Sequence, residues 1–176
     1  MESIAKHSFV TVISCILESV TIQQDNVAYL CFVNTSSLRL PQSHRLLRCV
    51  NRKFQFLLAR ILKYSNCSIE CLVLALIYID RLIQSGSIPV NSLTIHRILI
   101  TSILIAIKFF DDTFCTNSYY ARIGGIQTKE INNLEMEFLK GVNFSLLVSC
   151  ADYHKYHNEL YLHARNGLCP LCCSIR

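Results

Sequence analysis

Apolar residues recur at helical spacing along most of the chain. In residues 8–20 and again in residues 54–62 they stand three and four positions apart, which places them on one face of a helix. The period-two alternation typical of half-buried strands does not appear. The pattern therefore predicts two amphipathic helices, separated by an irregular stretch over residues 26–50.

The next two predicted helices are bounded by residues that start and stop helices. Ser68 is a good N-cap for CLVLALIYIDRLIQ, Glu70 suits the positive end of the helix dipole, and Gly86 suits the C-terminus. Asn91 or Ser92 is expected to cap LTIHRILITSILIAIKFF. That second helix is apolar nearly all round, so we expect it to be central and wrapped by the others.

Three shorter helical patterns complete the chain. Residues 117–123 form one and end at two glycines, and Thr128 is expected to cap KEINNLEMEFLKGV. Ser149-x-x-Asp152 resembles a capping box before YHKYHNELYL. We predict an all-α fold, in which a single domain of five helices surrounds a central apolar helix, with one extra helix at each end.

These elements divide the chain into five parts. An N-terminal helix occupies residues 1–25, an irregular basic linker 26–50, the five-helix domain 51–147, a C-terminal helix 148–163, and a disordered Cys-rich tail 164–176. A length of 176 residues suits one such domain.

Composition excludes several classes of protein. The chain is 52% hydrophobic and only 16% charged, with five Gly and three Pro, which excludes an intrinsically disordered or collagen-like protein. Its most apolar run, Ile98 to Ile107, is ten residues long, whereas a membrane span needs about 20. We expect no membrane contact, and the apolar excess points to a protein partner.

The net charge of +5 comes from one stretch. Residues 39–63 hold seven Lys or Arg and no acidic residue, and the remaining chain is close to neutral. Such a stretch could bind nucleic acid or act as an import signal. A solvated helix face is the interpretation that we favour, so nucleic acid is not the expected partner.

The ten cysteines do not predict disulfides. No secretory signal is visible, and Cys67, Cys71 and Cys115 lie in or beside apolar helical patterns, where a free Cys behaves as a small hydrophobe. A reducing intracellular compartment follows, nuclear, cytoplasmic or both. Cys169-x-x-Cys172 has the spacing of a zinc knuckle, but a second knuckle is missing, so we expect neither metal nor cofactor.

No catalytic motif is present. The chain has no GxGxxG, P-loop, HExxH or GxSxG pattern, and Asp111-Asp112 reads as a pair of acids in a helix-ending loop. An enzyme is therefore the least favoured class.

Several motifs occur in a specific order between residues 64 and 144. They are YIDRL, HRILIT, AIKFFDD, NSYYARIGGI and LEMEFLKGVNF. In this order and spacing they resemble the cyclin box of the Pho80-like cyclins, in particular the plant U-type or P-type cyclins. Residues 34–53 and the tail after Leu162 depart from that pattern.

The resemblance implies a non-catalytic subunit that forms a heterodimer with a cyclin-dependent kinase and activates it, in cell-cycle or nutrient- and phosphate-linked control. No small-molecule substrate is implied. In the family a Lys and a Glu meet the mobile kinase helix, and they correspond here to Lys108 and Glu135, with Glu137 as a competitor. Phe109 and Phe138 would supply apolar contacts.

Two further expectations accompany the resemblance. An ion pair between Asp80 of YIDRL and Arg60 of the first box helix would relieve the cost of burying a charge in an apolar helix. Cyclin folds also occur in transcription factors, so the alternative function is a nucleic-acid or transcription adaptor that uses residues 39–63.

Overall fold

The computed structural model describes residues 10–17, 20–21, 55–65 and 67–166. Within these ranges the backbone is helical or irregular and contains no strand, which confirms the all-α prediction. We number the helical segments α1 (residues 10–17 and 20–21), α2 (55–64), α3 (Ile69–Ser85), α4 (Ile95–Phe110), α5 (Asn117–Gly124), α6 (Thr128–Gly141) and α7 (Cys150–Asn166).

Helix α3 begins and ends where the sequence predicts. The Ser68 side chain accepts a hydrogen bond from the backbone N–H of Cys71 at 3.3 Å. At the other end Gly86 adopts a left-handed conformation with φ of 62°, and its N–H donates to the Ile83 carbonyl at 3.1 Å. Glycine reaches this conformation without the steric cost that a Cβ brings, so the helix stops cleanly there.

The starts of α4 and α6 differ from the prediction. Asn91 Oδ1 accepts from the N–H groups of Leu93 and Thr94 at 3.0 and 3.1 Å, so Asn91 caps a turn that precedes α4. Helix α4 itself begins at Ile95. Thr128 is the first residue of α6 rather than its cap. Short polar side chains favour turns as well as caps, and sequence alone does not separate the two.

Helix α7 begins as predicted. The Ser149 hydroxyl oxygen accepts from the Asp152 N–H at 3.1 Å, and the same hydroxyl donates to Asp152 Oδ2 at 2.8 Å. This reciprocal arrangement holds the first turn of α7. The helix continues to Asn166, three residues past the predicted end at 163.

The core is built around α4. Every residue from Ile98 to Ile107 is buried, because α3, α5 and α6 pack against it. Two polar residues in this run are satisfied within the helix: the hydroxyls of Thr101 and Ser102 donate to the carbonyls of Arg97 and Leu99 at 2.7 and 2.9 Å. Helix α4 is thus enclosed as expected. Its most extensive contact is with α3, which is also buried over much of its length.

A glycine lets α6 end close to α3. A Cβ at Gly141 would lie 2.7 Å from Leu82 Cδ1 and 2.8 Å from Ser87 Oγ. The Ser87 hydroxyl donates to the Gly141 carbonyl at 3.3 Å. A larger residue at position 141 would press on the ends of these two side chains, so Leu82 and Ser87 would have to shift to admit it.

Three expectations concern features at the margins of the fold. The linker at 26–50 and most of the tail, including Cys169 and Cys172, lie outside the described residues. Cys67 and Cys71 are buried as predicted, whereas Cys115 is exposed, because it lies in the loop after α4 rather than on a helix. In the part of the chain that the structure describes, no helix is long and apolar enough to cross a membrane.

We expect Leu104→Ala to lower the free energy of unfolding by about 2–5 kcal/mol, because it removes transfer energy and leaves a cavity. Leu104 is 0% exposed and lies in the middle of α4. Leu93→Ala is the matched control, because that leucine is 80% exposed and its truncation is expected to cost about 0.5 kcal/mol or less. Urea unfolding of both variants measures the difference, and equal losses would contradict the central position of α4.

Candidate functional site

An ion pair joins α4 to α6 where α4 reaches the surface. Lys108 Nζ lies 2.7 Å from Glu135 Oε1, and the two side chains are 30% and 18% exposed. Lys108 stands in the last turn of α4, directly after the buried run, so its ammonium group lies where the helix reaches the surface again. Of the two glutamates named from the sequence, Glu135 is the one that pairs with Lys108, and Glu137 forms no such pair.

The second carboxylate oxygen of Glu135 is also occupied. Asn117 Nδ2 donates to Glu135 Oε2 at 2.8 Å, and to Asn132 Oδ1 at 2.8 Å. Asn117 is the first residue of α5, so three helices contribute to one polar cluster. Neither asparagine was predicted from the sequence. The available signal was that NSYYARIGGI begins with a polar residue at a helix start.

Exposed apolar side chains flank this cluster. Phe109 and Phe110 follow Lys108 at the end of α4, and Met136 follows Glu135 on α6. Phe114 in the connection to α5 is exposed as well. We call this group the Lys108 surface; its members are Lys108, Phe109, Phe110, Phe114, Glu135 and Met136.

Phe138 does not belong to that surface, contrary to the expectation from the sequence. It is 2% exposed and part of the core. Ile131 and Phe138 are seven positions apart on α6 and both buried, so they share the face that packs inward. Phe109, in contrast, is 51% exposed and remains available to a partner.

The loop between α4 and α5 is held at both ends. At its start, Asp111 Oδ1 accepts from the Ser68 hydroxyl at 2.9 Å, which ties the end of α4 to the cap of α3. At its end, Asn117 is bound to α6 as described above. Phe114 lies between these two anchors. Asp111 is accordingly a structural acid in a helix-ending loop.

The predicted ion pair between Asp80 and Arg60 does not form among the described residues. Asp80 Oδ2 instead accepts from Tyr156 of α7 at 2.5 Å and from Gln84 at 2.7 Å. The Arg60 guanidinium lies 5.7 Å from the centre of the Phe56 ring. Arg60 was the wrong partner because the face of α3 that carries Asp80 lines a cavity together with residues of α1 and α7.

The neighbouring residues of YIDRL fasten the chain between α6 and α7. Arg81 donates through Nη1 to the Ser145 carbonyl at 2.7 Å and through Nη2 to the Leu147 carbonyl at 3.1 Å. Tyr78 OH donates to the intervening Leu146 carbonyl at 3.0 Å. Three successive carbonyls are thus bound by α3, so Tyr78 and Arg81 of YIDRL have a structural role in placing this segment.

Residues 10–17, 20–21, 55–65 and 67–166 contain no cluster of three or more His, Cys, Asp or Glu side chains that could hold a metal ion.

Comparison with known proteins adds the family. The Cyclin family profile matches residues 7–146 of the chain. The chain belongs to the cyclin family. The resemblance of its motifs to plant U-type and P-type cyclins is confirmed by curated relatives of both types.

Three relatives show the extent of the similarity. This cyclin is 45% identical over 129 residues to cyclin-U4-1 of Arabidopsis thaliana, covering 73% of this chain and 63% of that protein. It is 36% identical over 150 residues to Arabidopsis cyclin-U4-3, with coverages of 85% and 65%. It is 48% identical over 101 residues to cyclin-P3-1 of Oryza sativa subsp. japonica, with coverages of 57% and 43%. The chain therefore spans less than two thirds of the length of each of these relatives.

Tyr78 of YIDRL and Tyr156, which is hydrogen-bonded to Asp80 of the same motif, have a raised pKa. Burial raises the pKa of Tyr156 to about 12, and its hydrogen bond to the negatively charged Asp80 adds to the effect. Burial likewise raises the pKa of Tyr78 to about 12, although the nearby Arg81 charge opposes the shift. Each tyrosine has a higher pKa in the folded protein than its ordinary value of about 10 in the unfolded chain. Its contribution to stability is therefore fully present below pH 10 and is lost as the pH rises from 10 to 12.

We therefore expect the free energy of unfolding to fall between pH 10 and 12, and to fall less steeply in Tyr156→Phe than in the wild type. Tyr161→Phe is the control, because Tyr161 is exposed on the same helix. Denaturant unfolding of the three proteins across this pH range measures the slopes. Identical slopes for the wild type and Tyr156→Phe would contradict the raised pKa of Tyr156.

Proposed function

We propose that this cyclin is a non-catalytic regulatory subunit that binds a cyclin-dependent protein kinase through the Lys108 surface and activates it. Its action would lie in cell-cycle or phosphate-linked control, in the nucleus, the cytoplasm or both. The observation that carries the proposal is the preformed Lys108–Glu135 pair, 2.7 Å long and bordered by exposed phenylalanines.

The physical character of this surface suits a protein partner. A partly buried ion pair fixes the register of a contact, while apolar and aromatic neighbours supply most of the affinity. Lys108 has three N–H donors, and its one described contact is with Glu135, so acceptors on a partner can take the others. Phe109, Phe110 and Phe114 would bury apolar area that is now in water.

The alternative function, a nucleic-acid or transcription adaptor, has less support. Of the basic stretch at 39–63, the structure describes residues 55–63. The Arg60 guanidinium lies over the ring of Phe56, one helical turn earlier on α2, and Lys63 Nζ lies 5.1 Å from the centre of the Tyr64 ring. Arg60 is half-buried, with its Nε buried, whereas Lys63 is exposed. Binding to DNA with a steep salt dependence would be needed to support this alternative.

The test is a pull-down of the tagged chain with a panel of cyclin-dependent kinases, followed by a kinase assay on each captured complex. The double variant Lys108→Ala/Glu135→Ala is expected to weaken binding by about thirtyfold, which corresponds to about 2 kcal/mol for a buried polar anchor. Because both charges are removed together, neither is left buried and unpaired, and the melting temperature should stay near that of the wild type.

A matched control exists on the same two helices. Arg97 of α4 and Glu130 of α6 form an ion pair at 2.5 Å, away from the phenylalanines at the other end of α4. Arg97→Ala/Glu130→Ala should leave kinase binding unchanged. If a kinase is captured equally well by both double variants, the surface is wrongly assigned. If no kinase in the panel is captured or activated by the wild type, the proposed function is wrong.

A further inference from the structure

A third residue, Asn117, is hydrogen-bonded to the Lys108–Glu135 pair. An Asn amide group carries two N–H donors. In Asn117 one reaches Glu135 Oε2 and the other reaches Asn132 Oδ1, each at 2.8 Å. Asn117 thus commits both amide N–H donors to acceptors on α6.

The two acceptors of Asn117 are one helical turn apart. Asn132 and Glu135 are three positions apart on α6, so they lie on the same face of that helix. A single amide group that binds both defines where the start of α5 stands against α6. It also determines which carboxylate oxygen of Glu135 remains for Lys108, namely Oε1.

This arrangement limits the motion of two flexible side chains. Lys and Glu lose much rotamer freedom when they are held in one geometry, and a surface pair without further support contributes little for that reason. With Oε2 held by Asn117, the Glu135 carboxylate has a fixed direction, and the Lys108 ammonium is held against Oε1. The remaining ammonium N–H groups then point away from Glu135.

We propose that Asn117 is a positioning residue of the Lys108 surface, which acts through Glu135 to hold Lys108 in the orientation that a kinase partner binds. The proposal rests on the proposed function above. Its energetic basis is preorganisation: ordering these side chains before binding removes a cost that association would otherwise carry.

The experiment uses the full chain and the kinase captured in the pull-down. Asn117→Ala is expected to raise the Kd about threefold to tenfold, the range that corresponds to ordering one flexible side chain on binding. Asn133→Ala is the matched control, because Asn133 is exposed on α6 beside Asn132, and it should leave the Kd unchanged. Asn117→Asp keeps the shape but lacks the donors, so it should weaken binding at least as much as Asn117→Ala.

Two further variants separate positioning from a general loss of structure. In a Glu135→Ala background, Asn117→Ala should change the Kd no further, because its route of action is gone. The exchange Asn117→Asp/Glu135→Gln restores a donor and an acceptor between the two positions, and it should bind more tightly than Asn117→Asp alone. Thermal unfolding of each variant accompanies the binding measurement.

The outcomes are distinguishable. If Lys108→Ala/Glu135→Ala loses the kinase while Asn117→Ala and Asn117→Asp bind like the wild type, the role of Asn117 is refuted and the proposed function stands. If Asn117→Ala weakens binding equally with and without Glu135, Asn117 does not act through that carboxylate, and the inference is again refuted. A wild-type chain that captures no kinase overturns both.

Discussion

The enclosure of α4 is the constraint on which the rest of the structure depends. The run from Ile98 to Ile107 presents apolar atoms on all sides, so it is stable in water only when other helices cover it completely. Helices α3, α5 and α6 provide that cover. Lys108 follows the run immediately, and its position at the surface is therefore a consequence of where the cover ends. The candidate site lies at that boundary.

Several of the polar contacts between helices of this domain hold the connecting segments in place. The Arg81 fork binds carbonyls between α6 and α7, the Ser68 hydroxyl binds Asp111 after α4, and Asn117 binds α6 at the start of α5. Each contact is directional, whereas burial of apolar area is not. The apolar core thus supplies stability, and these few hydrogen bonds determine how the loops around the Lys108 surface are placed.

Local features were predictable from the sequence, and features that depend on helix rotation were not. Ser68 and Gly86 were correct because caps act on their own helix. Lys108 and Glu135 came from the resemblance to known cyclins, and their 2.7 Å contact agrees with it. Asp80 was assigned the wrong partner, because spacing shows that a charge needs a partner but does not show which neighbouring helix faces it.

Phe138 and Asn117 were missed for different reasons. The helical spacing of Ile131 and Phe138 is that of an inward face of α6, and the expectation that Phe138 contacts a kinase came from the resemblance and overrode that spacing. Asn117 meets groups 15 and 18 positions away in sequence, and no local rule connects them.

The close partnership of α3 and α4 also has a consequence for the order of assembly. These helices are consecutive in the chain and joined by residues 86–94, so closing the loop between them costs little chain entropy, and such local contacts form fast. Glu135 is 27 residues beyond Lys108, and the Arg81 carbonyl partners are 64 and 66 residues beyond Arg81. During synthesis on the ribosome, the α3–α4 pair can form before these residues are free to fold onto it. Until the later helices arrive, the apolar face of α4 that α5 and α6 cover lies in water, and such transiently exposed surface promotes aggregation.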